Sequence, residues 1–245
     1  GEVARQFLPF SALESQDPEQ LWHWLGETSK RTGAQFVAIP HNANVSSGQM
    51  FPLQRANGQP VDAAYSAVRA EWEPVLEVTQ IKGDSETHPM LSPNDEFADF
   101  ESYNFVMTVE RRTPDPTEAD YARSGLKRGL ALEAQLGANP YKFGLIGSSD
   151  SHTGMSAVEE TAFAGKSQHD SFPGARSGPS GLGAAKGWDM GAAGFVAAWA
   201  SENTRQGIYE AFKRREVYAS TGPRIALRFF GGFDCRLPCS ILKAA

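Results

Sequence analysis

Apolar positions along this chain alternate between two rhythms, one helical and one extended. Leu21, Trp22 and Leu25 sit at helical spacing behind Asp17 and Pro18, a capping residue followed by a first-turn proline, and Gly33 closes the segment. The run Phe36, Val37, Ala38, Ile39 then predicts a short buried parallel strand ending on Pro40 and His41. The same succession returns twice. Residues 63–72 read as a helix, 75–81 (VLEVTQI) as a strand and KGDSETHP as the loop beyond it. Residues 117–136 read as a long helix, 143–146 (FGLI) as a strand and GSSDSHTG as its exit loop.

Toward the C-terminus, residues 202–215 predict an amphipathic helix with Ile208 and Phe212 on one face and basic residues in its last turn. VYASTGPRIALRFFGG then predicts two short strands around a Gly-Pro turn. Three helix-to-strand units with polar residues just past each strand argue for a single parallel α/β domain over residues 1–245, with its active face at the strands' C-terminal ends. The glycine-rich stretch 165–194 reads as one long loop, of the kind that forms a lid, and 51–60 as an insertion. Both are expected to shape the substrate pocket.

Composition narrows the class. A chain of 245 residues, 40% hydrophobic and 21% charged, can bury a sizeable core. With 23 Lys plus Arg against 29 Asp plus Glu and no basic run, nothing points to nucleic acid or an anionic membrane surface. The longest apolar stretch, 191–200, falls well short of the roughly 20 residues that a membrane span requires. Cys235 and Cys239, without a second pair or a nearby His, do not make a structural zinc site; a local disulfide and two free thiols both remain open.

Candidate chemistry gathers at the predicted strand ends. Of the 5 histidines, His41, His88 and His152 lie there, while His23 and His169 read as packing or surface residues. Asp150 and His152 form a D-x-H pair whose side chains point the same way in an extended turn. Read alone, the pair suits a capping Asp beside an ordinary His. His41 and Glu77, each at the same end of its own strand or within it, change that balance, because imidazole and carboxylate together suit a divalent Zn, Mn or Fe ion, which makes hydroxide available near neutral pH. Glu77 also reads as a carboxylate paired inside the strand, and His88 as a substrate contact, a ligand or a plain loop residue. Lys82 is a candidate anion holder, set against a solvated charge cluster with Asp84 and Glu86. No GxSxG elbow, Walker A sequence or GxGxxG follows any strand.

The segments IPHN, VLEVTQIKGDSETH, NPYKFGLIGSSDSHTG and ENTRQGIYEAFKRREVYASTGPRI resemble a group of uncharacterised proteins related to the PHP (polymerase and histidinol phosphatase) superfamily of metal hydrolases, over nearly the whole chain. The resemblance implies a distorted (β/α)7 barrel holding two or three divalent metals at its strand ends, and hydrolysis of phosphate esters. By it, His41 matches the mid-chain His, Glu77 the acidic position after it, and Asp150 with His152 the closing D-x-H. PHP proteins open with an HxH on their first strand, and this chain has none. The expectation is therefore the C-terminal part of a PHP-like barrel, lacking its first strands, whose remaining ligands come from an N-terminal segment or a second chain.

Two functions from different classes follow. The first is metal-dependent hydrolysis of a phosphate ester or a related sulfate ester, with Asp150 and His152 at the centre and Lys82, His88 and Arg224 around a small anionic substrate. The second is a non-catalytic PHP-like binding domain that has lost the first-strand ligands. An amide or lactone hydrolase of the broader metal-barrel kind is a third. The two cysteines and the exported character of similar proteins lean toward a periplasmic or secreted location, with a cytoplasmic one left open.

Overall fold

A computed structural model describes residues 3–105, 115–154, 165–168, 171–178, 185–191, 194–222 and 224–229. Helix α1 (Pro18–Thr32) starts where its cap requires: the Asp17 carboxylate accepts the Glu19 N–H at 3.0 Å. It ends at Gly33, in the left-handed region at φ 70°, whose N–H returns to Ser29 O at 2.8 Å. Helix α2 (Ala63–Trp72) is capped in the same way by Asp62, which accepts the Tyr65 N–H at 2.7 Å. The two helices meet through Trp22 and Tyr65, whose rings stand 5.2 Å apart and edge to face.

Arg69 is buried between these helices and the sheet. Its guanidinium binds Glu73 Oε2 at 2.9 Å and Met50 O at 2.9 Å, and lies 4.9 Å over the Tyr141 ring. A charge buried so deeply persists because each face of it has a partner.

Strand β1 (Val75–Gln80) is buried along its whole length. It pairs antiparallel with the two-residue β2 (Gly83–Asp84) and parallel with β3 (Gly144–Gly147). Helix α3 (Ala122–Leu136) makes the crossover between the parallel strands. A second sheet pairs β4 (Phe195–Ala198) antiparallel with β5 (Val217–Ser220), with α4 (Arg205–Arg214) between them in sequence. This sheet lies against β3 so closely that a Cβ on Gly147 would come within 2.7 Å of Phe195 O. One core of Trp22, Phe51, Tyr65, Leu76, Val78, Leu132 and Tyr141 fills the space between helices and sheet.

Several expectations change. Residues 36–39 form no strand: Ala38 N–H reaches Trp72 O at 2.9 Å and Pro40 O accepts the Glu77 N–H at 3.0 Å, and nothing regular connects the two bonds. Pro40 and Pro74 have no N–H to extend a ladder. Helix α3 begins at residue 122 rather than 117, because Asp120 folds the preceding turn, accepting from Thr117 N at 3.1 Å and from Ser46 Oγ at 2.8 Å. Helix α4 begins at 205, where Thr204 Oγ1 accepts the Gly207 N–H at 3.1 Å.

The strand 217–220 pairs with 195–198, not with the stretch after the Gly-Pro turn; residues 224–229 are not a strand. The glycine-rich stretch is partly a core element, since Ala185 and Met190 pack against Ile81 and Tyr103. Phe51, placed by sequence in a pocket insertion, is fully buried. His169, Cys235 and Cys239 lie outside the described residues.

The architecture is mixed α/β. Among the described residues its strands form two small sheets and close no barrel. No helix among them is long and apolar enough to cross a membrane.

Gly125 tests the packing of α3. A Cβ there would meet the Phe51 ring at 2.8 Å. Gly125→Val should cost about 1–3 kcal/mol through overpacking, read as a lower urea midpoint at an unchanged slope.

Candidate functional site

β1 and β3 run parallel, so their C-terminal ends open on the same side, and the chain leaves each at a polar loop. The Ser148 N–H continues the pairing onto Thr79 O at 3.0 Å, and the Ser148 hydroxyl donates to Glu77 Oε2. Glu77 is 7% exposed, and its other oxygen, Oε1, is buried without a hydrogen-bond partner. A buried carboxylate oxygen in that condition calls for a cation or a donor.

Two residues past Ser148 the chain turns sharply. Asp150 adopts the left-handed region at φ 47°, uncommon for a non-glycine residue. Its carboxylate receives the ammonium groups of both Lys82 and Lys166, the latter at 2.6 Å. Lys166 Nζ also lies 2.7 Å from the Asp150 carbonyl oxygen and 2.9 Å from His152 Nε2. The His152 N–H donates to Lys166 O at 2.7 Å, which fastens the 165–168 segment to the D-x-H turn.

Lys82 is held by its own backbone. Its N–H donates to Gln80 Oε1 at 2.8 Å and its carbonyl accepts from Asn44 Nδ2 at 2.9 Å, so the buried side chain leaves from a fixed point. Burial, joined by the positive charge of Lys166, pulls the Lys82 ammonium down to about 7, and Glu77 opposes that pull. Contact with the Asp150 carboxylate also favours the charged form, and we treat the contact as an ion pair. The Lys166 charge likewise holds the His152 imidazole below its ordinary value, with burial and Lys82 adding to the effect.

Of the residues singled out by sequence, Glu77, Lys82, Asp150 and His152 therefore form one cluster, in which Glu77 joins through Ser148 and its charge. His41 follows Pro40, whose carbonyl bonds Glu77 N–H, but its ring is exposed, with Nδ1 3.1 Å from Ile39 O. It lines a cavity of about 690 Å³ together with Asn42, Met50 and Arg55; the Lys82–Asp150 pair is not in that wall. His88 is half-buried in its loop: Nδ1 accepts the Met90 N–H at 3.2 Å and the ring faces Tyr121 at 5.8 Å. Arg224 stands 5.2 Å over the Phe195 ring on β4.

Lys166 escaped the sequence reading. It is one lysine in a glycine-rich run, and only the return of that run onto the D-x-H turn reveals it.

Asp150 and His152 already hold a cation, the Lys166 ammonium, and Glu77 keeps an unpartnered oxygen nearby. Two carboxylates and an imidazole suit a divalent Zn, Mn or Fe ion in kind. Among the described residues no three His, Cys, Asp or Glu side chains stand close enough to enclose an ion, so these donors are a partial set.

A family model described as Protein of unknown function (DUF3604) matches residues 1–239. No curated protein and no solved structure matches the chain.

Asp84, on β2 opposite Thr79, gives this end of the sheet a pH dependence. Its carboxylate accepts the Glu86 N–H at 2.8 Å, yet burial pushes its pKa up to about 7. From about pH 4 to about pH 7 the folded protein then holds a proton that the unfolded chain has released, so stability falls as pH rises through that window. Asp84→Asn keeps the acceptor and removes the titration. Its thermal stability relative to wild type should improve between pH 4 and pH 8 by roughly 1–3 kcal/mol, and a flat difference would contradict the assignment.

Proposed function

Because the chain belongs to the DUF3604 family of proteins of unknown function, we propose its activity from its own site: metal-dependent hydrolysis of a phosphate or sulfate ester at the cluster of Glu77, Lys82, Asp150 and His152. The observation that carries this reading is the Asp150–His152 pair with two buried ammonium groups where the parallel strands β1 and β3 end, next to the Ser148 that binds the Glu77 carboxylate. Parallel α/β proteins place their chemistry at such ends. The parallel pair with a helical crossover also supports the finer reading of the fold as part of a PHP-like distorted (β/α)7 barrel.

In this reading Asp150 and His152 hold the metal, with Glu77 Oε1 as a further donor, while His41, on another wall, takes no part in it. When bound, a divalent metal lowers the pKa of a water toward neutrality and offsets the charge developing on the ester oxygens. Lys82 meets the substrate. Its ammonium carries three donors, of which Asp150 engages one, and its backbone is fixed at both the N–H and the carbonyl. Ser148 keeps Glu77 oriented through Oε2 and leaves Oε1 as the available oxygen.

A second reading, a PHP-like domain that binds an anion without turnover, draws on the Lys166 ammonium seated on Asp150 and His152. One assay separates the two. The full-length protein, supplied with Mn²⁺ or Zn²⁺, is offered 4-nitrophenyl phosphate, bis(4-nitrophenyl) phosphate and 4-nitrophenyl sulfate. The hydrolase reading expects turnover of at least one, with kcat/KM falling about 100-fold or more in Asp150→Asn and His152→Ala. Lys82→Met should chiefly raise KM. Sulfate or phosphate binding with no turnover of any ester would favour the binding domain.

A further inference from the structure

We infer that Lys166 is a resident cation of the Asp150–His152 pair, and that a divalent metal and the Lys166 ammonium exclude each other there. The inference rests on the metal-dependent reading above and adds a competitor that this chain itself supplies.

The donor inventory carries the argument. An ammonium has three N–H donors and no acceptor. Lys166 Nζ lies within hydrogen-bond distance of three acceptors: Asp150 Oδ2 at 2.6 Å, Asp150 O at 2.7 Å and His152 Nε2 at 2.9 Å. Since the ammonium only donates, His152 Nε2 must be the unprotonated ring nitrogen, and its lone pair points at Lys166. A metal bound through Nε2 uses that same lone pair and the same carboxylate. The 3.3 Å approach of Nε2 to Asp150 Oδ1 is then a close contact, with no proton between them.

Location makes the competition real. The Lys166 side chain is 5% exposed and that of Asp150 is 18% exposed, so water screens the pair poorly. A doubly charged ion beside an ammonium in such a place is strongly repelled. Of the two lysines on Asp150, Lys82 is fixed by bonds to both its backbone N–H and its carbonyl at the end of β1. Lys166 reaches the pair from the 165–168 segment, outside the sheet, and its ammonium lies on His152 Nε2 and the Asp150 carbonyl as well as on the carboxylate, the very atoms of the D-x-H turn. Lys166 is therefore the cation that yields.

Isothermal titration of the full-length protein with Mn²⁺ or Zn²⁺ tests this directly. Lys166→Met should bind the metal at least about 10-fold tighter than wild type, a gain that misfolding cannot mimic. Lys166→Arg, which keeps the charge, should bind no tighter than wild type. Lys30→Met, which removes a remote exposed charge, should leave affinity unchanged. Melting with and without metal gives a second readout, in which Lys166→Met loses stability without metal and gains more from it than wild type does. If Lys166→Met does not fold, Lys166→Gln removes the charge and keeps a donor.

Metal bound equally or more weakly by the Met and Gln variants overturns the inference alone, and Lys166 then merely positions the pair. Absence of metal binding in every variant overturns the inference and the metal-dependent reading together. Tighter binding in Lys166→Met without ester turnover leaves the inference standing and removes the hydrolase.

Discussion

Strand β1 must satisfy its whole backbone away from water, and the arrangement around it follows from that need. Its N-terminal end takes bonds from the irregular 38–40 segment and from β3, and its C-terminal end from β2 and Ser148. A buried peptide group without a partner costs about as much as a lost hydrogen bond, so these neighbours are not interchangeable with solvent. Because β3 pairs in parallel, the loops after both strands emerge together. That one constraint sets Glu77 beside Ser148, and Lys82 beside Asp150.

Charge imposes the next constraint. Lys82 and Lys166 are both buried, and an ammonium withdrawn from water needs a carboxylate and further acceptors. Asp150 meets both requirements with Oδ2 and, for Lys166, with its own carbonyl. Its left-handed backbone is the geometry that turns the carbonyl and the carboxylate toward the same ammonium, and such strain persists where surrounding bonds over-determine it. The D-x-H pair is thus a hub of cation binding, which ties the proposed chemistry to the same bonds that hold the loop.

Much of this was legible in the chain. Asp17, Pro18 and Gly33 bound α1 by local rules, and Asp62 begins α2 by the same rules. The VLEVTQI segment at 75–81 marks β1, and the D-x-H spacing singles out the turn that gathers the lysines. The 36–39 run failed as a strand because apolar character says nothing about whether donors are available on both sides, and two prolines remove them. The partner of β5 was missed because 195–198 and 217–220 are separated by a helix, and their pairing has no local signal. His41 and Asp150 share a predicted strand-end position, yet the loss of the 36–39 strand leaves the His41 ring exposed on another wall.

By itself the sequence determined the bounds of α1 and α2, the strand at 75–80, and which residue types are available for chemistry. These depend on side chains a few positions apart, within reach of one turn. Only the tertiary structure decided that Lys166 belongs to the site, that Glu77 keeps one oxygen without a partner, and that Asp150 serves two ammoniums at once. Those outcomes depend on desolvation and on distances between segments far apart in the chain, which are set when the loop after β3 and the glycine-rich stretch close on each other.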